Sequence, residues 1–188
     1  MSGLKTGRPI SGKEIQAARR ALEVHPVILK ARIRRGDSER LVIGLEQRRC
    51  AAIVRTGLEE KNLYEVDEDL YIMSENRVRC RSVPMISGQF DRTLDRFQDN
   101  SLFKLMAGWK LLRERYPELV SRISEFRLRR GGGLTIFTTS RIRVELSGTL
   151  DDYNIRRMYA SFAYLEKEGK KAGIIDLRGT DALFVPGI

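Results

Sequence analysis

Histidine is nearly absent from this 188-residue chain, in which His25 stands alone. General acid–base catalysis usually relies on histidine or on a carboxyl group whose pKa is perturbed in a cleft. His25 directly precedes Pro26, which restricts the residue before it and marks the end of a helical pattern. A capping or surface role therefore accounts for His25, and we expect no catalytic residue and no enzymatic activity.

Cysteine is scarce too, and the spacing of Cys50 and Cys80 matches no metal-binding motif. The sequence leaves open whether the two form a disulfide or stay as half-buried thiols. The adjacent acids of residues 67–69 lack the frame of a calcium-binding loop and are typical of a solvated turn. The glycines of residues 131–133 join two predicted strands, which favours a hairpin turn over a phosphate loop. We expect no metal, no cofactor and no small-molecule substrate.

Long apolar runs are missing as well. No stretch approaches the roughly 20 apolar residues that a membrane span needs, and no secretory signal pattern follows Met1. A hydrophobic fraction of 41% is nevertheless enough for a folded core.

Acidic residues are outnumbered by basic ones, 25 to 35, which gives a formal net charge of +10. The excess is uneven, because residues 1–49 hold 12 basic and 5 acidic residues. A charge of this sign favours nucleic acid, an anionic membrane surface or an acidic protein as a neighbour.

The N-terminal quarter reads as a small helix-and-hairpin unit. Ser11 and Glu14 have the spacing of a capping box, and apolar residues follow at helical spacing. After Pro26 we expect a short second helical turn over residues 27–30, then two strands near 31–34 and 41–46. The order is helix, short helix, strand, strand.

The rest of the chain alternates short strands with two longer helical patterns. Strands are expected over 51–55, 62–66, 70–72, 83–88, 123–129, 134–137 and 141–146, with helices over about 94–116 and 150–168. The fold class is α+β: a small unit, residues 1–47, followed by a mostly antiparallel β domain, residues 48–188, with two helices packed on one face of its sheet.

The last fifteen residues carry the main functional hypothesis. Two strand segments separated by Gly179–Asp181 end the chain: Ile174, Ile175, Asp176, Leu177 and Arg178, then Ala182, Leu183, Phe184 and Val185. A terminal strand often lies at a sheet edge, where its unpaired N–H and C=O groups can accept a strand from another chain. These residues are the predicted partner-binding site.

A second candidate surface is basic. Six arginines cluster around the predicted N-terminal hairpin: Arg32, Arg34, Arg35, Arg40, Arg48 and Arg49. Such a patch binds phosphates, in a nucleic acid or in a membrane head-group layer. Aromatic residues are nearly absent there, so base stacking is not supported and nucleic-acid binding remains the alternative function.

Several short strings, in their order along the chain, resemble the extracytoplasmic part of the bacterial cell-division protein FtsQ, called DivIB in Gram-positive bacteria. Residues 10–15 resemble the entry to the first helix of its POTRA domain, and residues 83–88 resemble its "P-L-I-x-G" string. Residues 175–178 resemble the "V-D-L-R" that opens the end of its β domain. Residues 25–33, 41–48 and 142–148 also match in order.

The resemblance implies a non-enzymatic divisome scaffold made of a POTRA domain and a β domain. Members of the family bind the small bitopic proteins FtsB and FtsL by strand addition at the C-terminal sheet edge, on the extracytoplasmic side of the inner membrane at the septum. Arg178, with Asp176 beside it, is the contact residue that the motif carries over. The family's transmembrane anchor is not in this sequence, and of the first POTRA strand only Ser2–Leu4 remains.

Overall fold

The computed structural model describes residues 9–36, 40–57 and 62–187. The chain divides into two compact units, Met1–Arg49 and Cys50–Ile188. In the described residues there are four α-helices and eleven β-strands, most of them paired antiparallel, which confirms the predicted α+β class. Ser2–Leu4, assigned to the first POTRA strand, lies outside the described residues.

The first unit contains helix α1 (Gly12–Glu23) and the antiparallel strands β1 (Ile28–Arg35) and β2 (Leu41–Gln47). The capping box is present, since the Ser11 side chain accepts from the Glu14 N–H and the Glu14 carboxylate accepts from the Ser11 N–H. The predicted short helix after Pro26 is wrong, because β1 begins at Ile28. Pairing with β2 and the strand preference of β-branched residues outweigh the helix-starting tendency of Pro26.

The second unit is built on one large sheet with helices between some of its strands. In the described residues the sheet has nine strands in the order β11-β10-β9-β8-β7-β6-β3-β4-β5. The strands are β3 (Ala52–Thr56), β4 (Leu63–Val66), β5 (Ile72–Glu75), β6 (Met85–Gly88), β7 (Ile123–Leu128), β8 (Leu134–Thr138), β9 (Arg143–Leu146), β10 (Ile174–Asp176) and β11 (Leu183–Val185). The helices are α2 (Asn100–Arg115), α3 (Pro117–Val120) and α4 (Asp152–Lys167).

Three strand pairs of this sheet are parallel: β3 with β6, β6 with β7, and β9 with β10. Parallel neighbours need a crossover connection, and here α2 with α3 connects β6 to β7 while α4 connects β9 to β10. The hydrophobic pattern predicts the strands but not these parallel crossovers. The remaining pairs are antiparallel, in line with the predicted mostly antiparallel sheet.

One register row of apolar side chains runs across the sheet: Tyr64, Val54, Ile86, Phe126, Ile136, Val144, Ile175 and Phe184. Trp109 of α2 packs edge-on against Phe126, with ring centroids 5.5 Å apart. Tyr164 of α4 stacks on Phe184 at 5.4 Å. Because both contacts fall on the same row, α2 and α4 cover the same face of the sheet.

Helix α2 begins at Asn100, several residues later than the apolar pattern predicts. The Asp99 carboxylate accepts hydrogen bonds from the N–H groups of Ser101 and Leu102 and so caps the helix there. Residues 91–97 instead fold back in a turn, with isolated bridges between Arg92 and Phe97 and between Tyr71 and Arg96.

Candidate partner-binding edge

The two predicted C-terminal segments lie at different depths in the sheet. Strand β10 is paired with β9 on one side and with β11 on the other, so its backbone groups are used. Strand β11 is the last strand at its end of the sheet. Leu183–Val185 therefore lies at the margin, and Ile174–Asp176 lies one strand inside it.

The direction of the backbone groups of β10 follows from two hydrogen bonds to β9. The Arg143 N–H donates to Gly173 O at 2.9 Å, and the Leu177 N–H donates to Glu145 O at 2.8 Å. Peptide groups alternate along a strand. The C=O of Gly173 and the N–H of Leu177 face β9, whereas the Gly173 N–H donates to Val185 O of β11 at 2.8 Å. Between these two residues, the backbone groups of Ile174 and Asp176 face β11.

The same alternation shows which backbone N–H and C=O groups of β11 have no partner strand. Ile174 and Asp176 face β11, and their register partners are Val185 and Leu183. Val185 and Leu183 thus direct their N–H and C=O groups toward β10. The N–H and C=O of Phe184, between them, point away from the sheet at its open margin.

The side chains of β11 divide between the two faces. The Phe184 ring packs on α4, while Leu183 and Val185 lie on the opposite face with 62% and 45% of their surface exposed. Pro186 follows directly and has no N–H, which limits the number of donors along this edge. The edge offers one outward amide within β11, flanked by two exposed apolar side chains.

Arg178 is already paired within the chain. Its Nε donates to Asp176 Oδ1 at 2.9 Å and to Oδ2 at 3.1 Å, and its Nη2 also contacts Oδ2. These hydrogen bonds lower the pKa of Asp176 from 3.8 to about 2. A partner carboxylate can reach Arg178 only by sharing a guanidinium that Asp176 holds.

Helix α4 fixes the turn between β10 and β11 through Arg157, a residue that the sequence analysis missed. Its Nη2 donates to Gly179 O at 2.7 Å, to Thr180 O at 3.1 Å and to Asp181 O at 3.3 Å. Nothing in the local sequence signals this role, because the helix and the turn are separated by 22 to 24 positions. The clamp holds the entry to β11 in place.

The opposite end of the sheet is partly covered. The Ile72 N–H of β5 donates to Asp95 O at 2.7 Å, and Tyr71 forms a bridge with Arg96. The segment 91–97 thus pairs with the outer side of β5. By comparison, β11 is the more open margin among the described residues.

The face of the sheet away from α2 and α4 carries pairs of arginines over shared carboxylates. Glu125 contacts Arg55 at 3.5 Å and Arg127 at 3.1 Å. Glu145 contacts Arg129 at 2.8 Å and Arg143 at 3.0 Å. The carboxylates lie beneath the guanidinium groups, and two carboxylates balance only two of the four arginines, so this face keeps a net positive charge.

Cys50 and Cys80, whose state the sequence left open, form a disulfide. The buried carboxylate of Glu65 lies beside them. One of its oxygens and the two sulfur atoms are all within 4.8 Å of one another. Burial by itself would raise the pKa of Glu65. Hydrogen bonds from the Arg79 and Cys80 amides and from the Ser74 hydroxyl outweigh that effect, so the pKa of Glu65 lies below its ordinary value. Glu65 is thereby held as a buried carboxylate.

The turn of residues 67–69, predicted to be solvated, is tied into the fold. Asp67 is buried, and its Oδ1 accepts from the N–H groups of Asp69 and Tyr71. Glu68 pairs with Arg113 and lies 3.9 Å from Lys110 of α2. These carboxylates stabilise a turn.

The six predicted surface arginines do not form one patch. Arg32 and Arg34 share the face of β1 with Lys30, since they alternate with the buried Ala31. Arg35 donates from Nη2 to Ile10 O at 2.5 Å, and Arg48 is half-buried. Arg40 and Arg49 are exposed at either end of β2. The structure thus groups Lys30, Arg32 and Arg34.

No protein-family model and no curated protein matches this chain. Within the described ranges, no helix combines the length and the apolar character needed to cross a bilayer.

Proposed function

We propose that this chain is a non-enzymatic cell-division scaffold of the FtsQ/DivIB type, which accepts a strand of an FtsB-like or FtsL-like protein at the outer edge of β11. The observation that carries the proposal is the outward N–H and C=O of Phe184 at the open margin of the sheet. The ordered sequence resemblance supplies the identity of the partner.

The edge defines how a partner strand would be held. Main-chain pairing to Phe184 supplies a hydrogen-bonded register, and the exposed side chains of Leu183 and Val185 offer apolar contacts on one face. Because β11 has three residues and Pro186 follows, backbone pairing alone supplies few hydrogen bonds. Side-chain contacts with Leu183 and Val185 therefore contribute a substantial part of the affinity.

Arg178 adds charge selection. Its Nε and Nη2 are engaged by Asp176, which leaves Nη1 as the nitrogen that an acidic partner residue would approach. Asp176 also fixes the guanidinium in place, so less side-chain entropy is lost when the partner binds. An acidic residue next to the added strand is the expected complement.

The first unit corresponds in this proposal to the POTRA domain, on the extracytoplasmic side of the inner membrane at the division septum. The cationic row of Lys30, Arg32 and Arg34 would there face anionic head groups, each cation contributing on the order of 1 kcal/mol near the surface. Nucleic-acid binding is the competing explanation of the same row, and it predicts tighter binding to an oligonucleotide than to anionic vesicles.

Two substitutions at one position test the edge. Phe184→Pro removes the outward N–H and the ring, whereas Phe184→Ala removes the ring and keeps the N–H. The probe is the extracytoplasmic segment of the FtsB-like protein from the same genome, titrated by calorimetry. We expect Phe184→Pro to bind at least tenfold more weakly than Phe184→Ala, with both variants folded by circular dichroism.

Equal affinity of Phe184→Pro and Phe184→Ala for the segment would contradict strand addition at β11. Unchanged binding by both, and by Arg178→Glu, would exclude the C-terminal edge and make the first unit the next candidate. Preferential binding of an oligonucleotide by the wild-type chain, lost at high salt, would favour the nucleic-acid function instead.

A further inference from the structure

Three neighbouring strands of the second unit, β3, β6 and β7, run parallel, so their carboxyl ends lie at the same end of the sheet. The chain leaves β3 toward β4, whereas it leaves β6 toward β7, on the opposite side. Where the connections of two adjacent parallel strands depart in opposite directions, a crevice opens between their carboxyl ends, and open α/β sheets bind ligands there. The strand order thus marks the carboxyl ends of β3 and β6 as the place for a ligand site.

A cleft of about 760 Å³ lies at this place. Arg55 and Gly57 line it from the end of β3, Gly88 and Gln89 from the end of β6, and residues 127–130 from the end of β7. Small-molecule sites usually measure about 300 to 1,000 Å³. The cleft therefore has the size of a site for a small molecule.

Arginines supply the charge of this cleft. Among the described residues that line it, none is acidic and four are arginines: Arg55, Arg127, Arg129 and Arg130. Glu125 pairs with the first two of them, and Glu145 pairs with the third. Two carboxylates against four guanidinium groups leave an excess of two positive charges, so the complement is a ligand with at least two negative charges.

Two of these arginines keep terminal nitrogens for a ligand. Arg130 donates from Nε to Gln89 Oε1 at 2.7 Å, and in the part of the chain that the structure describes no acceptor takes a hydrogen bond from its Nη1 or Nη2. Arg127 donates from Nε and Nη2 to Glu125 Oε1, at 3.3 Å and 3.1 Å, which leaves Nη1. Gln89 and Glu125 thus hold the two guanidinium groups by one side and leave the other side for an acceptor.

We propose that this cleft binds the diphosphate group of a small organic molecule, with Arg127 and Arg130 as donors to its oxygens. Guanidinium groups match phosphate oxygens with paired N–H donors. Arg127 lies in β7 and Arg130 in the turn after it, so the donors occupy two positions along the cleft, one for each phosphate. Because Glu125 and Gln89 already orient them, little side-chain entropy is lost on binding. Binding at this cleft is independent of partner binding at β11, and it adds a small-molecule ligand that the sequence analysis did not expect.

A second cleft, of about 350 Å³, adjoins the first and offers room for the organic part of the ligand. Gln89 and residues 128–130 line both clefts. The second cleft has mostly apolar walls with two polar residues at its margin: Phe90, Leu105, Leu134, Leu150, Ser147 and Thr149. An apolar or partly polar group can therefore extend into it while the diphosphate stays at the arginines.

Calorimetric titration of the full chain with inorganic diphosphate, at constant ionic strength, tests the site. We expect saturable binding at one site per chain, tighter for diphosphate than for inorganic phosphate or malonate. Arg127→Gln and Arg130→Gln should each weaken it about tenfold, because each removes charge-assisted donors. Arg130→Lys keeps the charge without the planar fork and should recover only part of the affinity.

Arg81→Gln is the matched control, because Arg81 is an exposed arginine of the same unit outside the cleft. It should bind diphosphate like the wild type. Among the described residues Arg130 is hydrogen-bonded only to Gln89, so Arg130→Gln should leave the thermal melt unchanged and its loss of affinity reports on the site.

Two organic diphosphates distinguish the sources of the group. ADP carries a ribose and an aromatic base, and geranyl diphosphate carries an apolar chain. The one that binds more tightly than inorganic diphosphate identifies the class of the organic part, and failure of both to do so would overturn an organic ligand.

Three other results would overturn the diphosphate site itself. They are the absence of saturable binding below about 1 mM, an affinity for malonate equal to that for diphosphate, and binding by Arg130→Gln that matches Arg81→Gln. Tighter binding of a single-stranded oligonucleotide, weakened equally by Arg130→Gln and Arg81→Gln, would also overturn it and assign these arginines to a diffuse nucleic-acid surface.

Discussion

Arg157 Nη1 donates a hydrogen bond to the backbone carbonyl of Leu177 at 2.9 Å, which ties helix α4 to the end of β10. The second terminal nitrogen of the same guanidinium holds the three following turn carbonyls of residues 179–181. One planar, permanently charged side chain thus replaces the hydrogen bonds that an exposed turn would otherwise make to water. Helix α4, on which the Phe184 ring packs, thus also positions the entry to the edge strand β11.

Replacing Arg157 should loosen β11 without unfolding the sheet. Arg157→Met keeps the aliphatic stem and loses the donors, so we expect a loss of about 1–3 kcal/mol in the free energy of unfolding. The amides of residues 177–185 should exchange faster, and binding to the FtsB-like segment should weaken. Arg156→Gln is the matched control, because Arg156 lies on the same helix, is exposed and pairs with Asp152 one turn earlier. Equal effects of the two substitutions would contradict a clamp specific to Arg157.

Acid should weaken the fold partly through Asp176. Hydrogen bonds from Arg178 hold the pKa of Asp176 at about 2 in the folded chain, below its ordinary 3.8. A lowered folded pKa contributes stability above about pH 4 that is lost as the pH falls toward 2. Because the pair is partly solvated, we expect about 1 kcal/mol at neutral pH. Arg178→Gln should remove this contribution, so that denaturant unfolding followed from pH 6 to pH 2 shows a shallower decline than the wild type.

Asp176→Asn provides the second arm of that measurement. If the two side chains act as a pair, the double variant should be more stable than the sum of the two single effects predicts, and the coupling free energy should vanish near pH 2. Additive effects at neutral pH would show that Arg178 and Asp176 act separately.

Helix α2 meets the start of α4 at Gly108, where a side chain has no room. A Cβ at this position would lie 1.9 Å from Leu150 O and 2.8 Å from Leu150 C. Gly108→Ala should therefore force α2 outward and lower the free energy of unfolding by about 2–3 kcal/mol. Gly179→Ala is the control, since a Cβ there meets no atom within 4 Å. A thermal melt in which both variants match the wild type would contradict this packing.

The cationic row on β1 should govern binding to anionic surfaces. In low salt we expect the full chain to bind weakly to vesicles containing anionic lipid and not to neutral vesicles. Replacing Lys30, Arg32 and Arg34 by Gln should lower the partition coefficient about tenfold to a hundredfold, because each cation contributes about 1 kcal/mol. The same charge change on α1, at Lys13, Arg19 and Arg20, is the control. A larger effect of the α1 triple would place the contact on the helix.

Local patterns in the sequence predict most of the elements. The alternation along residues 141–146 predicts a strand, and β9 runs from Arg143 to Leu146. The apolar spacing after Asp151 predicts α4, which runs from Asp152 to Lys167. The capping box at Ser11 is present as predicted. These features depend on residues a few positions apart, so a single segment carries the information.

The helical turn predicted after Pro26 shows where local patterns fail. A proline can start a helix or precede a strand, and here pairing between Ile28 and Gln47 decides for the strand. The predicted start of α2 is too early for the same reason. Phe97 fits the apolar pattern of the helix, but it lies in the turn of residues 91–97, where it forms a bridge with Arg92.

What the sequence by itself determined is the class of the fold, the charge of the first unit and the presence of two C-terminal strand segments. Only the tertiary structure decided that β10 is paired on both sides, that Phe184 directs its amide outward, and that Cys50 meets Cys80 beside Glu65. The physical reason is sequence separation. The parallel strand pairs, the Arg157 clamp and the disulfide join residues 20 or more positions apart, and no local propensity encodes which distant segment a backbone group or a sulfur will meet.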